Sequence, residues 1–84
     1  MKVHAPSVSR KLRADFGIVT VPDYTRSGYR VTGGVLGTVT IACQFDIEAT
    51  AERKARDLED AIRERWDGYT VERRGATLTV GRAQ

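Results

Sequence analysis

The stretch 50-TAERKARDLEDAIRERWDG-68 decides the fold. Within it Ala51, Ala55, Leu58, Ile62 and Trp66 recur at steps of three or four, which lays them along one stripe of a 3.6-residue helix. Glu, Asp, Lys and Arg fill the other faces. Thr50 is the expected N-cap, Glu52 favours the positive end of the helix dipole, and Gly68 supplies the stop. The i, i+4 pairs Glu52–Arg56 and Glu59–Arg63 contribute about 0.2–0.5 kcal/mol each. Burying Leu58, Ile62 and Trp66 contributes about 1.5–3 kcal/mol apiece, so packing rather than pairing holds this helix, and it needs a surface to pack on.

That surface is legible on both sides of it. From Gly28 the period is two: Tyr29 and Val31 alternate with Arg30 and Thr32. After the turn Gly33-Gly34-Val35-Leu36-Gly37, Val39, Ile41, Cys43 and Phe45 alternate with Thr38, Thr40, Ala42 and Gln44. Behind the helix, Tyr69 and Val71 alternate with Thr70 and Glu72. The chain turns near Arg73-Arg74-Gly75, and Leu78 and Val80 alternate with Thr77 and Thr79. These are two hairpins, each with an apolar and a polar face. Further upstream, Val8, Leu12 and Phe16 stand at i, i+4, i+8 in Ser7–Phe16, a second and shorter helix closed by Gly17. Between that helix and the first hairpin, Gly17–Pro22 reads as an edge or terminating strand, and Pro22–Gly28 as a loop.

The halves echo one another. Gly28-Tyr29-Arg30-Val31 followed by Thr38-Val39-Thr40-Ile41 parallels Gly68-Tyr69-Thr70-Val71 followed by Thr77-Leu78-Thr79-Val80, and Leu12…Phe16 parallels Ile62…Trp66. The expected fold is therefore α+β: one domain over residues 1–84, in the order αββαββ, with an internal αββ repeat as one reading of the echo. It is a two-layer sandwich in which both helices cover one face of a mainly antiparallel sheet. Residues 1–6 and 82–84 are expected to be flexible ends.

Composition narrows the function. Eighty-four residues leave room for one core. No apolar run reaches the roughly 20 residues of a membrane span, and MKVHAPSVSRKLR lacks the apolar core of a signal peptide, so a cytoplasmic location is expected. The single Cys43 fits a reducing compartment. Residues 1–45 carry net +4, residues 46–72 net −4 and the tail from Arg73 net +3, so the long helix is acidic and the remainder basic.

Catalysis finds no constellation. His4 is the only histidine, Cys43 falls on the apolar side of its strand with no base to activate it, and the pair makes no zinc site. Asp57, Asp60 and Glu64 are interleaved with Arg56 and Arg63 and read as a solvated helix face. The glycines of TGGVLGT serve a turn and match no nucleotide-binding fingerprint. No enzyme activity, metal or cofactor is expected. Arg10, Lys11, Arg13, Arg30, Arg73 and Arg74 are the candidate nucleic-acid-binding residues, through phosphate contacts to DNA or RNA. Val35 and Leu36, apolar at a hairpin tip, are the candidate partner-binding residues, for a host protein or for a homodimer formed through the tip or the sheet face.

The wording SRKLRADFG…SGYRVTGG…GTVTIACQFD…GYTVERRGATLTV resembles small accessory proteins of actinobacterial phages. The resemblance implies a regulator, a DNA-associated accessory protein, or an inhibitor of a host or defence protein. The leading expectation is a non-enzymatic module binding nucleic acid through a basic surface, and the alternative is a protein–protein interaction module.

Overall fold

A computed structural model describes residues 3–83. It contains helix α1 (Ala5–Phe16), strands β1 (Gly28–Gly33) and β2 (Val39–Gln44), helix α2 (Glu48–Arg65), and strands β3 (Tyr69–Arg74) and β4 (Thr77–Arg82). The fold is α+β, with two helices and a four-stranded antiparallel sheet ordered β1-β2-β4-β3.

Both helices start earlier than their side-chain pattern suggests. In α1, Pro6 occupies the first turn, where its missing N–H costs nothing, and the Val8 amide donates to the His4 carbonyl at 3.1 Å. Gly17 ends it at φ 68°, a left-handed conformation that glycine adopts without strain, its N–H donating to Arg13 at 3.0 Å. In α2 the cap position is Ile47, not Thr50. Ile47 is extended, its carbonyl accepts from the Ala51 amide at 3.0 Å, and Glu48 becomes the acid in the first turn. Neither helix has a side-chain cap, so the dipole and the packed stripe outweigh capping preference.

The ends of the chain make backbone contacts that the pattern did not show, and the expected 17–22 strand is corrected. Val3 is buried and its N–H donates to the Gly37 carbonyl at 2.9 Å, while Met1 and Lys2 lie outside the described residues. At the other end Arg82 belongs to β4 and the Ala83 amide donates to Gly68 at 2.7 Å; Gln84 lies outside the described residues. Residues 17–22 form no strand. A single bond joins them to the sheet, from the Val21 N–H to the Tyr29 carbonyl at 2.9 Å, and Pro22 has no N–H with which to extend it.

Registers establish the faces. Val31 pairs with Ile41, Ile41 with Leu78, Val39 with Val80, and Val80 with Val71. These strand residues form one cluster with Val8 and Leu12 of α1 and with Ala55, Leu58 and Ile62 of α2. Trp66, just past α2, is 2 % exposed. It stacks on Phe16 with centroids 5.7 Å apart, and its indole N–H donates to the Asp15 carboxylate at 2.8 Å. The end of α1 is thereby locked to the end of α2. At Gly28 a side chain would place a Cβ 2.9 Å from Val21 Cγ1, so glycine here lets the 17–22 segment lie against β1.

Candidate interaction surface

Side chains that alternate with the buried set form the other face of the sheet. The registers order them into rows. Arg30 pairs with Ala42, Ala42 with Thr77, and Thr77 with Arg74. The next row is Thr32, Thr40, Thr79 and Glu72. Arg30 is held from behind: its Nε donates to Gln44 Oε1 at 2.8 Å, and Gln44 Nε2 donates to the carbonyls of Asp23 and Arg26, each at 2.9 Å. Gln44 thus ties the 23–26 loop to the sheet and orients Arg30, a role that residue type and spacing did not reveal. The Arg74 side chain is exposed and makes no hydrogen bond or ion pair among the described residues.

The six expected phosphate-binding residues do not come together. Only Arg30 and Arg74 share a face and a row. Arg73 pairs with Leu78, on the buried side, and its Nε donates to Glu59 Oε1 at 3.2 Å. Glu59 also accepts from Arg63 at 2.9 Å. The Arg63 hydrogen bond, supplemented by Arg73 and opposed by partial burial, holds the Glu59 carboxyl below its usual range. Lys11 is likewise engaged, 3.3 Å from Asp15 and over the Trp66 ring at 5.2 Å. Arg10 and Arg13 of α1 are exposed beside a shallow hollow of about 180 Å³ that they line with Ser9, Ile18, Val19 and Thr20.

Arg82 was not foreseen as a structural residue. Its guanidinium lies 4.7 Å from the Tyr69 centroid and its Nε is buried without a partner. The signal was available: Arg82 continues the Leu78–Val80 alternation, and Arg73 continues Tyr69–Val71.

Val35 and Leu36 project at the tip of the β1–β2 hairpin, 77 % and 99 % exposed. Leu36 is the one non-glycine residue among those described with positive φ, at 56°. A branched side chain in that conformation carries backbone strain with no burial to offset it.

Cys43 is buried on β2, and burial pushes its thiol up from 9.0 to about 11. In the folded protein at pH 8 its reaction with an aromatic disulfide reagent is expected to be at least about a hundredfold slower than in urea, because both access and thiolate fraction fall. The raised value also signs the pH dependence. The neutral thiol is preferred in the native state, so stability declines as pH rises above 9, where the unfolded thiol ionises, through about 11. A urea titration series across that range checks it.

Among the described residues no group of three or more His, Cys, Asp or Glu is placed to hold a metal ion, and no helix is long and apolar enough to cross a membrane. Comparison of the chain with protein-family models, with curated proteins and with solved structures finds no match.

Proposed function

We propose that the chain is a non-catalytic module that binds duplex nucleic acid on the sheet face carrying Arg30 and Arg74, in the accessory or regulatory capacity that its phage-like wording implies. The supporting observation is the in-register row Arg30, Ala42, Thr77, Arg74. Two guanidinium groups stand at its ends, with only small side chains between. Three strand spacings separate their backbones, about 14 Å, close to the about 12 Å width of a B-DNA major groove. Threonine hydroxyls and arginines are phosphate and base-edge donors. The strand residues of that face include no aromatic, Met or Leu, so the rows themselves lack the anchors of a tight protein interface and the platforms on which single strands stack; Tyr24, 79 % exposed on the 23–26 loop, lines a hollow with Gln44 at their margin.

The reading includes a symmetric architecture: two αββ units, αββαββ in order, with both helices on one side of the sheet. Register supports it. Exchanging Val39 with Leu78 and Ile41 with Val80 maps the pair Val39–Val80 onto the pair Leu78–Ile41. Val8, Leu12 and Phe16 correspond to Leu58, Ile62 and Trp66, and the equivalent Phe16 and Trp66 stack on each other. A pseudo-twofold axis through the β2–β4 pair would present matched halves to a duplex, which has its own local twofold symmetry.

Fluorescence anisotropy with a labelled duplex at about 50 mM salt tests the reading. Arg30→Ala and Arg74→Ala each weaken binding and lower the salt slope by about 1. Arg73→Ala leaves affinity unchanged because Arg73 is committed to Glu59, and Glu72→Gln raises affinity by removing the acid beside Arg74. Absence of a complex at that salt, or equal losses from Arg73→Ala and Arg74→Ala, would overturn it. The exposed Val35 and Leu36 favour a second reading, a module that modulates a host or defence protein. A charged substitution at Leu36 would then release the partner while leaving duplex binding intact.

A further inference from the structure

The two outer strands of the sheet are not treated alike. In β3 the pair Gly68–Ala83 bonds across to β4, since the Ala83 amide donates to Gly68. Strand alternation then turns the backbone groups of Tyr69, Val71 and Arg73 toward the free edge. That edge is guarded: Arg63 of α2 donates to the Val71 carbonyl at 2.8 Å, and the Tyr69 amide donates to Trp66 at 3.3 Å. In β1 the Gly34 amide donates to Thr38, which places Arg30 and Thr32 in the bonded set and turns Tyr29, Val31 and Gly33 outward. The Tyr29 carbonyl is taken by Val21, but beyond the β1–β2 ladder no described residue bonds to Val31 or Gly33. In the repeat, Arg13 corresponds to Arg63 and Val31 to Val71. Arg13 makes no such bond and instead lines the hollow beside Ile18 and Val19.

An open edge is a template for another strand, and proteins ordinarily blunt it with charge, proline or a covering element. Here it leads directly into the exposed Val35 and the strained, fully exposed Leu36. We infer that the Val31–Gly33 edge of β1 pairs antiparallel with the same edge of a second copy, joining two sheets into one of eight strands, with Leu36 as the apolar contact at each end.

Self-pairing follows from several features together. Centred on Thr32, the twofold arrangement matches Val31 of each copy with Gly33 of the other as hydrogen-bonded pairs, using every unpaired group on that stretch. It sets Arg30 opposite Gly34 of the second copy, so the two arginines do not face each other across the seam. It brings Val35 and Leu36 level with Tyr29 and Gly28 of the second copy, beside which Val19–Val21 runs and where Val19 is 69 % exposed. A twofold contact between like edges is closed by its own symmetry, and on β3 the Val71 carbonyl and the Tyr69 amide are already taken, so the contact forms a dimer through β1. The dimer does not depend on nucleic-acid binding, but it would set two Arg30–Arg74 rows on one continuous face.

Sedimentation equilibrium from micromolar to millimolar protein, with amide hydrogen exchange, tests it. The 9.3 kDa chain is expected to approach twice its mass with rising concentration, and the Val31 and Gly33 amides to gain protection in step. Leu36→Asp and Gly33→Pro are each expected to weaken association at least tenfold. Aspartate tolerates positive φ better than leucine, and at Gly33 a Cβ meets nothing within 4 Å while the N–H that proline removes points off the sheet, so neither variant removes a bond of the β1–β2 ladder. A monomer at every concentration, or a dimer unchanged in both variants, overturns the inference. A dimer lost in Leu36→Asp but without protection at Val31 and Gly33 overturns the strand pairing. Duplex binding by monomeric Leu36→Asp separates failure of the dimer from failure of the nucleic-acid reading.

Discussion

Replacing Trp66 with alanine is expected to cost about 3–5 kcal/mol, the largest loss of any single truncation in this chain. A domain of 84 residues has about 4–13 kcal/mol of total stability at the usual range per residue, so at the lower end of that range the variant sits near the folding threshold. The magnitude reflects what converges on one indole. Phe16 stacks on it, Tyr69 packs at 5.2 Å in a tilted arrangement, Lys11 lies over its face, and Asp15 accepts its N–H. Trp66→Phe keeps most of the apolar area but leaves Asp15 without that donor, and falls between wild type and Trp66→Ala. Urea unfolding followed by far-ultraviolet circular dichroism measures the series, since the only tryptophan is the residue removed. A loss under about 1 kcal/mol for Trp66→Ala would mean the two helix ends are not held together through this ring.

The second large effect belongs to Leu78. It is fully buried near the start of β4, paired with Ile41 on one side and Arg73 on the other, so it sits where the two hairpins join. Leu78→Ala is expected to cost about 2–5 kcal/mol and to lower Tm by about 10 °C or more. Its neighbour supplies the control. Thr79 is exposed on the opposite face, and Thr79→Ala should change stability by no more than about 0.5 kcal/mol. Comparable losses at the two positions would contradict the assigned faces.

Sequence pattern was most informative where structure is local. The 3.6 period of Ala51, Ala55, Leu58 and Ile62 and the alternation of Val39, Ile41 and Cys43 each reported a buried stripe, and every one of these residues is buried. Helix starts were less legible. Thr50 has the better capping side chain, but Ile47 caps α2, because the turn from Gln44 to Glu48 is dictated by where β2 ends. For Arg73 the pairing with Glu59 was illegible for a different reason. Its place in the Tyr69–Val71–Arg73 alternation put it on the buried side, but a charged residue beside another arginine invites reading as surface. Its backbone pairs with buried Leu78 and its head meets Glu59.

By itself, then, the sequence determined which residues turn inward and outward, since helical and strand periods are properties of neighbouring residues and survive in a linear reading. Tertiary structure alone decided that β2 pairs with β4, that the strands run β1-β2-β4-β3, and therefore that Arg30 and Arg74 end one row. It also decided that Arg63 takes the Val71 carbonyl on the β3 edge, while among the described residues nothing outside the β1–β2 ladder bonds to Val31 or Gly33. Those outcomes depend on hydrogen bonds between residues tens of positions apart, and local periodicity carries no record of which distant strand will supply them.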